Sequence, residues 1–145
     1  VYAPCTAARA AVQGAYTSDD PINATTPDSA TKTALATLAK YDPHYKVGDI
    51  PSYGVWTSWV GTDLMVYGLQ QAGVNPTRQS FITNLRKVDS WDSNGLLPTA
   101  VRFTNFGTAA MLPSKPCMNY FKLVGSKFEP VPGGPKICGK YIPVG

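Results

Sequence analysis

The stretch from Tyr53 to Gly73, YGVWTSWVGTDLMVYGLQQAG, constrains the fold more than any other part of the sequence. Val60, Leu64 and Gly68 recur at helical spacing within a wide apolar stripe, which predicts a long, buried helix. Small side chains along the stripe allow close packing against a sheet or a second helix, and the final glycine is a typical helix terminator. The apolar run contains Asp63 and is far shorter than the ~20 residues that a membrane-spanning helix needs.

Two tryptophans, Trp56 and Trp59, stand three residues apart at the start of this predicted helix. Together with Tyr16 and Tyr53 they form a set of aromatic side chains that offer large, rigid contact areas with a polar tip. Such residues either fill a core or contact a ligand. The residues alone favour core filling and leave ligand contact open.

Further elements flank the long helix in a chain of 145 residues, the size of one ordinary domain. One helix is predicted to begin at Thr26 and Pro27 and another at Asn75 and Pro76, because proline is well accommodated in a first helical turn. Strands are expected ahead of the first helix and in the later runs AVRFTNF, NYFKLVG and KFEPV. The apolar residues expected to pack beneath the two helices are Ala34, Leu35, Leu38, Tyr41, Phe81, Ile82, Leu85 and Val88.

The charge pattern argues against nucleic acid as a partner. The formal net charge is +4, but the basic residues are scattered, and the nearest approach to a cluster is Arg86 with Lys87. A nucleic-acid interface needs a basic patch interleaved with stacking aromatic residues. The mild positive charge is therefore interpreted as a contribution to solubility.

The three cysteines are Cys5, Cys117 and Cys138. They show no C-x-x-C spacing, and His44 is the single histidine, so no metal site is expected. Antiparallel pairing of NYFKLVG with KFEPV would bring Cys117 and Cys138 together, which predicts a disulfide and an oxidising compartment; two buried free thiols are the alternative. Cys5 is then left over, which suggests a partner outside this sequence.

Short motifs give little support to enzymatic chemistry. Ser29 and Lys32 have the S-x-x-K spacing of serine acyl-transfer enzymes, but the companion S-D-N and K-T-G motifs are missing. His44 is expected to be a surface or packing residue, and Asp19 with Asp20 to form a turn. Gly133 and Gly134 lie between prolines, so no phosphate-binding loop is indicated. We therefore expect no enzymatic activity and no cofactor.

The order of these pieces resembles a known family, the type I solute-binding proteins of ABC transporters, specifically the branched-chain amino acid (leucine/isoleucine/valine) receptor group. The segment VQGAYTSDDP is similar to the strand, glycine and loop that precede a helix in that family. WVGTDLMVYGLQQAG and NPTRQSFITNLRKV resemble two successive helices. GLLPTAVRFTNFGT and NYFKLVGSKFEPV resemble the glycine turn, the V-x-F strand and the closing hairpin.

The resemblance implies an α/β fold that forms part of a two-lobed protein, with parallel sheets flanked by helices and a C-terminal β-hairpin. It covers only the later part of such a protein. Residues 1–44 would end lobe two, residues 45–116 would form a return segment in lobe one, and residues 117–145 would supply the closing strands of lobe two. The first half of the full protein is therefore expected to be a separate or missing N-terminal part.

The family's ligand residues map onto few positions of this chain. The acidic residue that faces a ligand ammonium in amino-acid-binding members corresponds to Gln13, just before Gly14. An amide hydrogen-bonds a ligand but does not balance a buried ammonium charge, which argues against a zwitterionic amino acid. The aromatic residue at the start of the long helix corresponds to Trp59, with Trp56 one turn earlier and Tyr16 as a further candidate.

The resemblance also implies the protein's partners and location. A solute-binding protein closes over a small-molecule ligand outside the cytoplasm (in the periplasm, at the cell surface or after secretion) and delivers it to an ABC permease. The two alternatives are a ligand-sensing receptor domain of the same fold and a secreted serine hydrolase that uses Ser29 and Lys32.

Overall fold

The computed structural model describes residues 14, 16–19, 28–47, 51–104, 107, 115–125, 127–134, 136–140 and 142. Within these residues the helices are α1 (Ser29–Tyr41), α2 (Tyr53–Ala72) and α3 (Arg78–Leu85). The strands are β1 (Tyr16–Asp19), β2 (Cys117–Val124), β3 (Lys127–Pro130) and β4 (Lys136–Cys138). The chain divides into two compact units, one made of Val1–Ile50 with Cys117–Cys138 and the other of Pro51–Pro116 with Gly139–Gly145.

The first unit contains a small sheet built around β2. β1 pairs with one edge of β2, and β3 and β4 pair in succession with its other edge. Phe121 and Leu123 alternate onto one face of β2 and are buried, as is Val131 just after β3. β2 and β3 form the predicted C-terminal hairpin.

All pairings between the described strands are antiparallel, so the predicted parallel sheets are not seen there. The two-residue connection from Val124 to Lys127 allows only an antiparallel pair, since parallel neighbours need a crossover of about a dozen residues or more. β1 also runs antiparallel to β2, with Tyr16 opposite Lys122. The described part of the chain is thus a mixed α/β fragment with a small antiparallel sheet.

α1 begins later than the sequence predicts. The carboxylate of Asp28 accepts a hydrogen bond from the backbone N–H of Thr31 at 2.8 Å, so Asp28 is the N-cap and Ser29 the first helical residue. Thr26 and Pro27, the predicted start, lie outside the described residues. Ala34 is buried and Leu35 and Leu38 are half-buried, as a packed face requires. Tyr41 is instead exposed at the end of the helix, with the ammonium of Lys40 over its ring.

α2 and α3 form the predicted helix pair of the second unit. α2 ends at Gly73, whose φ of 88° suits glycine. α3 starts at Arg78, and not at Asn75 with Pro76, because Thr77 and Ser80 form a reciprocal capping box. The residues expected to be buried beneath it are only half-buried, namely Phe81, Ile82, Leu85 and Val88.

The run AVRFTNF contributes one isolated bridge where a strand was predicted. Trp91 and Val101 exchange two backbone hydrogen bonds, of 3.0 and 2.7 Å, and no further ladder is present between Gly95 and Thr104. The bond from Phe103 N–H goes to the carbonyl of Val88, which follows α3. The backbone of this segment is therefore hydrogen-bonded to Trp91 and Val88, which follow α3, and not to a neighbouring strand.

Candidate functional site

Trp56 and Trp59 differ in burial although both lie in the first two turns of α2. Trp56 is 3% exposed, whereas Trp59 is half-buried. At 100° per residue, Trp56 shares a side of the helix with Asp63 and Tyr67, and Trp59 lies towards the exposed side that carries Val66. Trp56 therefore has little surface to offer a ligand, and Trp59 has an accessible part.

The remaining predicted ligand residues belong to the first unit. Gln13 lies outside the described residues, but Gly14 donates its backbone N–H to the carbonyl of Leu123 at 3.0 Å, which fixes the chain next to β2. Tyr16 is the first residue of β1. Gln13 and Tyr16 thus fall in one unit and the two tryptophans in the other.

Asp63 is the single charged residue of α2, and it has a specific partner. Its Oδ2 accepts a hydrogen bond of 2.8 Å from the hydroxyl of Ser93, a side chain that is only 1% exposed. A carboxylate on an apolar helix is costly unless it is hydrogen-bonded, so this contact compensates its burial. This pair was not predicted from the sequence, although an isolated charge in an apolar helix indicates that the charge has a partner.

An unusual backbone turn presents Ser93 to Asp63. Ser93, Asn94 and Gly95 have φ values of 54°, 56° and 87°, so three successive residues adopt left-handed conformations. Leu97 N–H donates to the carbonyl of Asp92 at 2.9 Å and closes the turn. Left-handed conformations cost non-glycine residues energy, and the buried hydrogen bond of Ser93 helps to offset that cost.

An aromatic cluster lies one turn further along α2. The ring centroid of Tyr67 is 6.4 Å from that of Trp91, which in turn is 6.2 Å from that of Phe103. These distances fall within the range of favourable aromatic pairs. The side of α2 that carries Trp56 therefore packs, from Asp63 onwards, against the 91–103 segment.

The residues of the hydrolase alternative do not form an enclosed site. Ser29 and Lys32 are both exposed on the first turn of α1. His44 is also exposed, and its backbone N–H donates to the side chain of Asp42 at 2.9 Å, as in an ordinary turn. Nothing in this geometry shields a nucleophile from water or aligns it with a base.

The predicted disulfide is confirmed, since Cys117 and Cys138 are bonded with an S–S distance of 2.08 Å. The free-thiol alternative is therefore wrong. Cys138 belongs to a separate short strand, β4, and stands directly opposite Cys117 on β2. Cys5 lies outside the described residues.

The described part of the chain contains neither a candidate membrane-spanning helix nor a candidate metal site. No helix there is both long and apolar enough to span a membrane. No group of three or more histidine, cysteine, aspartate or glutamate side chains is placed to hold a metal ion among the same residues.

Comparison with known proteins identifies the family. Residues 4–117 match the model of a family described as periplasmic binding protein. The chain belongs to this family. Its members generally bind solutes without catalysing a reaction, and the disulfide is consistent with their location outside the cytoplasm. No curated protein and no solved structure matches the chain.

The matched residues include all of α1, α2 and α3, and the match ends at Cys117, the first residue of β2. Trp56, Trp59 and the Asp63–Ser93 pair therefore all lie in matched sequence. Most of β2 and all of β3 and β4 lie beyond it.

Proposed function

We propose that this chain is part of the extracytoplasmic solute-binding component of an ABC importer, which binds a small polar or amino-acid-like molecule and delivers it to a permease. The observation that carries this proposal is the family match over residues 4–117. The Cys117–Cys138 disulfide supports a location in an oxidising compartment. The branched-chain amino acid receptor group is the proposed branch of the family, on the motifs quoted above.

The proposed mechanism is closure of two lobes around the ligand, with no covalent step. Residues 1–44 and 117–145 would belong to one lobe and residues 45–116 to the other. The division of the chain into two compact units supports this assignment, with boundaries after Ile50, Pro116 and Cys138. Residues 139–145 are grouped with the 51–116 unit, which differs from the proposed lobe boundary.

The proposed ligand contacts come from both units. Trp59 would pack on the apolar part of the ligand, supported by its half-buried position near the start of α2. Gln13 would hydrogen-bond a polar group, and Tyr16 and Trp56 are weaker candidates. Gln13 is neutral and does not balance the charge of an ammonium group. The proposed ligand is therefore one without an ammonium group that needs a carboxylate at this position.

We also propose that the chain works together with a further N-terminal part of the same polypeptide. α2 exposes Met65, Val66 and Leu69 on one side, and Met65 is 60% exposed. Within the described residues, β1 pairs only with β2, so its other edge has no strand beside it. Exposed apolar surface and an open strand edge both favour association with more protein. The partner of Cys5 would lie in that additional part.

Two measurements test the proposal in sequence. Intact mass of the natively purified protein, with and without reduction, should reveal a second polypeptide part and the pairing of Cys5. Isothermal titration calorimetry on that preparation should then detect saturable binding of one probe among the protein amino acids, urea and acetamide. Absence of binding to every probe by a preparation that contains both parts would contradict the assignment as a receptor for small polar or amino-acid-like solutes.

Variants separate the role of Trp59 from general effects. Trp59→Ala should weaken binding of the identified probe about tenfold or more, since loss of one well-packed aromatic contact costs about 1.5 kcal/mol or more. Trp59→Phe should retain most of the affinity. Val74→Ala, at an exposed position beyond the end of α2, is the matched control and should bind like the unmodified protein. Unchanged affinity in Trp59→Ala would remove Trp59 from the ligand site.

A further inference from the structure

The turn that presents Ser93 also contains the dipeptide Asn94-Gly95, which can rearrange covalently without an enzyme. Asparagine is a thermolabile residue. The backbone nitrogen of the residue that follows it can attack the carbonyl carbon of the asparagine side chain and close a succinimide ring. Glycine in the following position favours this attack, because it has no Cβ to hinder the approach of its nitrogen.

The structure leaves both reacting groups of this dipeptide accessible. Asn94 and Gly95 are exposed to solvent. Within the described part of the chain, neither the side chain of Asn94 nor the backbone N–H of Gly95 makes a hydrogen bond. The attacking nitrogen and the amide that it attacks therefore have no protein partner there to hold them apart.

The hydrogen bonds that hold the turn do not involve the reacting peptide group. Leu96 N–H donates to the carbonyl of Ser93 at 3.2 Å, and Leu97 N–H donates to the carbonyl of Asp92 at 2.9 Å. The peptide group between residues 94 and 95 takes part in neither bond. It can therefore rotate towards the asparagine side chain while both bonds of the turn remain in place.

The other described asparagines lie in surroundings that oppose the same reaction. The side-chain amide of Asn84, in α3, donates to the carbonyl of Gln71 at 2.9 Å. Asn119 lies in β2, with β1 paired on one side and β4 on the other. Asn75 precedes Pro76, which has no N–H to lose. These residues serve as internal references for Asn94.

We propose that Asn94 is a site of spontaneous deamidation and that the modified turn loses the hydrogen bond between Ser93 and Asp63. The nitrogen of Gly95 bonds to the side-chain carbonyl carbon, and the amide nitrogen leaves as ammonia with the proton of the Gly95 N–H. Water then hydrolyses the succinimide. Opening at the side-chain carbonyl gives aspartate, and opening at the main-chain carbonyl gives isoaspartate.

Both products act on the contact that the turn makes with α2. Each places a carboxylate next to Ser93, whose buried hydroxyl donates to Oδ2 of Asp63 at 2.8 Å. Isoaspartate also adds one carbon atom to the main chain inside the turn. The longer turn moves Ser93 away from its position opposite Asp63, which is left without its donor. This inference does not depend on whether the chain binds a solute.

Peptide mapping of the folded protein measures the modification itself. The protein is incubated in heavy-oxygen water, digested at mildly acidic pH and analysed by mass spectrometry with electron-transfer fragmentation, which distinguishes isoaspartate from aspartate. We expect Asn94 to deamidate at least about tenfold faster than Asn84 and Asn119. A rate at Asn94 no higher than at these two residues would overturn the proposal.

A free peptide of residues 91–98 tests whether the folded turn is accessible to the reaction. In the folded protein, the rate at Asn94 should lie within about threefold of the rate in this peptide. The structure is thereby separated from the effect of the dipeptide sequence, which is the same in both samples. A folded rate more than about tenfold below that of the peptide would overturn the proposed accessibility.

Urea unfolding tests the effect of the modification on Ser93. The urea midpoint of the unmodified sequence, read from tryptophan fluorescence, should fall as isoaspartate accumulates. Asn94→Gly is the matched control: glycine suits the φ of 56° at this position and cannot deamidate, so its midpoint should not change during the same incubation. Asn94→Asp reproduces the charge without the added carbon atom and should have a smaller effect than isoaspartate.

A Ser93→Ala background shows whether the lost stability comes from the contact with Asp63. Because that background already lacks the hydrogen bond, deamidation should lower its midpoint by less than half as much as it does with Ser93 present. An equal fall in the two backgrounds, or an unchanged midpoint in fully deamidated protein, would overturn the proposed link between Asn94 and the Asp63–Ser93 pair.

Discussion

Gly68 allows α2 to pack closely on Phe81 of α3, and its replacement by alanine should be less favourable than the same change at an open position of the helix. A Cβ built on Gly68 would lie 2.4 Å from Cε2 and 2.5 Å from Cζ of Phe81. The shorter distance falls about 1 Å short of the 3.4 Å at which ordinary van der Waals contact begins. The ring or one of the two helices therefore has to move, and overpacking of this kind typically costs about 1–3 kcal/mol.

Gly61 provides the matched control because it lies in the same helix with no atom within 4 Å of a built Cβ. Gly61→Ala should increase the free energy of unfolding by up to about 1 kcal/mol, since alanine is the better helix former. Gly68→Ala receives the same gain but also the overpacking cost. The difference between the two variants isolates the contact with Phe81 and should be about 1–3 kcal/mol.

Urea unfolding followed by tryptophan fluorescence measures this difference in the free energy of unfolding for the unit that contains α2 and α3. All three tryptophans, Trp56, Trp59 and Trp91, belong to the 51–116 unit that contains both helices. In a Phe81→Ala background the two glycine variants should become equivalent, because the clashing ring is gone. A difference below about 0.5 kcal/mol with Phe81 present would refute the close packing of α2 on α3 at Gly68.

Three further changes test other parts of the structure. Ser93→Ala should lower the free energy of unfolding of the same unit by about 1–3 kcal/mol, because it leaves the Asp63 carboxylate without its donor; Ser90→Ala, at an exposed position, should change it little in the same urea titration. Asp28→Ala should cost about 1 kcal/mol by removing the α1 N-cap, and Asp28→Ser should recover most of that loss, as read from amide exchange in α1. Reduction of the disulfide should destabilise the first unit by about 3 kcal/mol, the chain-entropy value for the 21-residue separation of its cysteines, measured by amide exchange at Phe121.

The sequence predicted those elements whose determinants are local or repeated. The apolar stripe and terminal glycine of α2 predicted its length, and the two short strand-like runs predicted the hairpin. The cysteine pairing was also predicted, but the strand that places Cys138 opposite Cys117 is β4, which was not. The predicted helix starts lie too early in the sequence. Proline is merely compatible with the first turn of a helix, whereas a side-chain hydrogen-bond acceptor at the N-cap, such as that of Asp28 or Thr77, determines where the helix begins. The parallel sheet was an implication of the family resemblance, and no residue pattern in the chain required it.

The Asp63–Ser93 contact was beyond sequence reasoning for a different reason. The two residues are 30 positions apart, and Ser93 reaches Asp63 only because three successive residues adopt left-handed conformations. A serine in such a turn looks like any loop serine in the sequence. Long-range polar contacts of this kind depend on how separate segments pack, which neither periodicity nor composition encodes.

The contacts of α2 explain why its two tryptophans differ in burial. One side of the helix packs on α3 through Gly68, and a second packs on the 91–103 segment through Asp63 and Tyr67. Trp56 points to the second side and is buried, so it serves the core. Trp59 is half-buried and lies towards the exposed side, so part of its side chain remains accessible. A half-buried side chain loses less conformational entropy on binding than a fully exposed one, which favours Trp59 over the more deeply buried Trp56 as the tryptophan proposed to contact the solute.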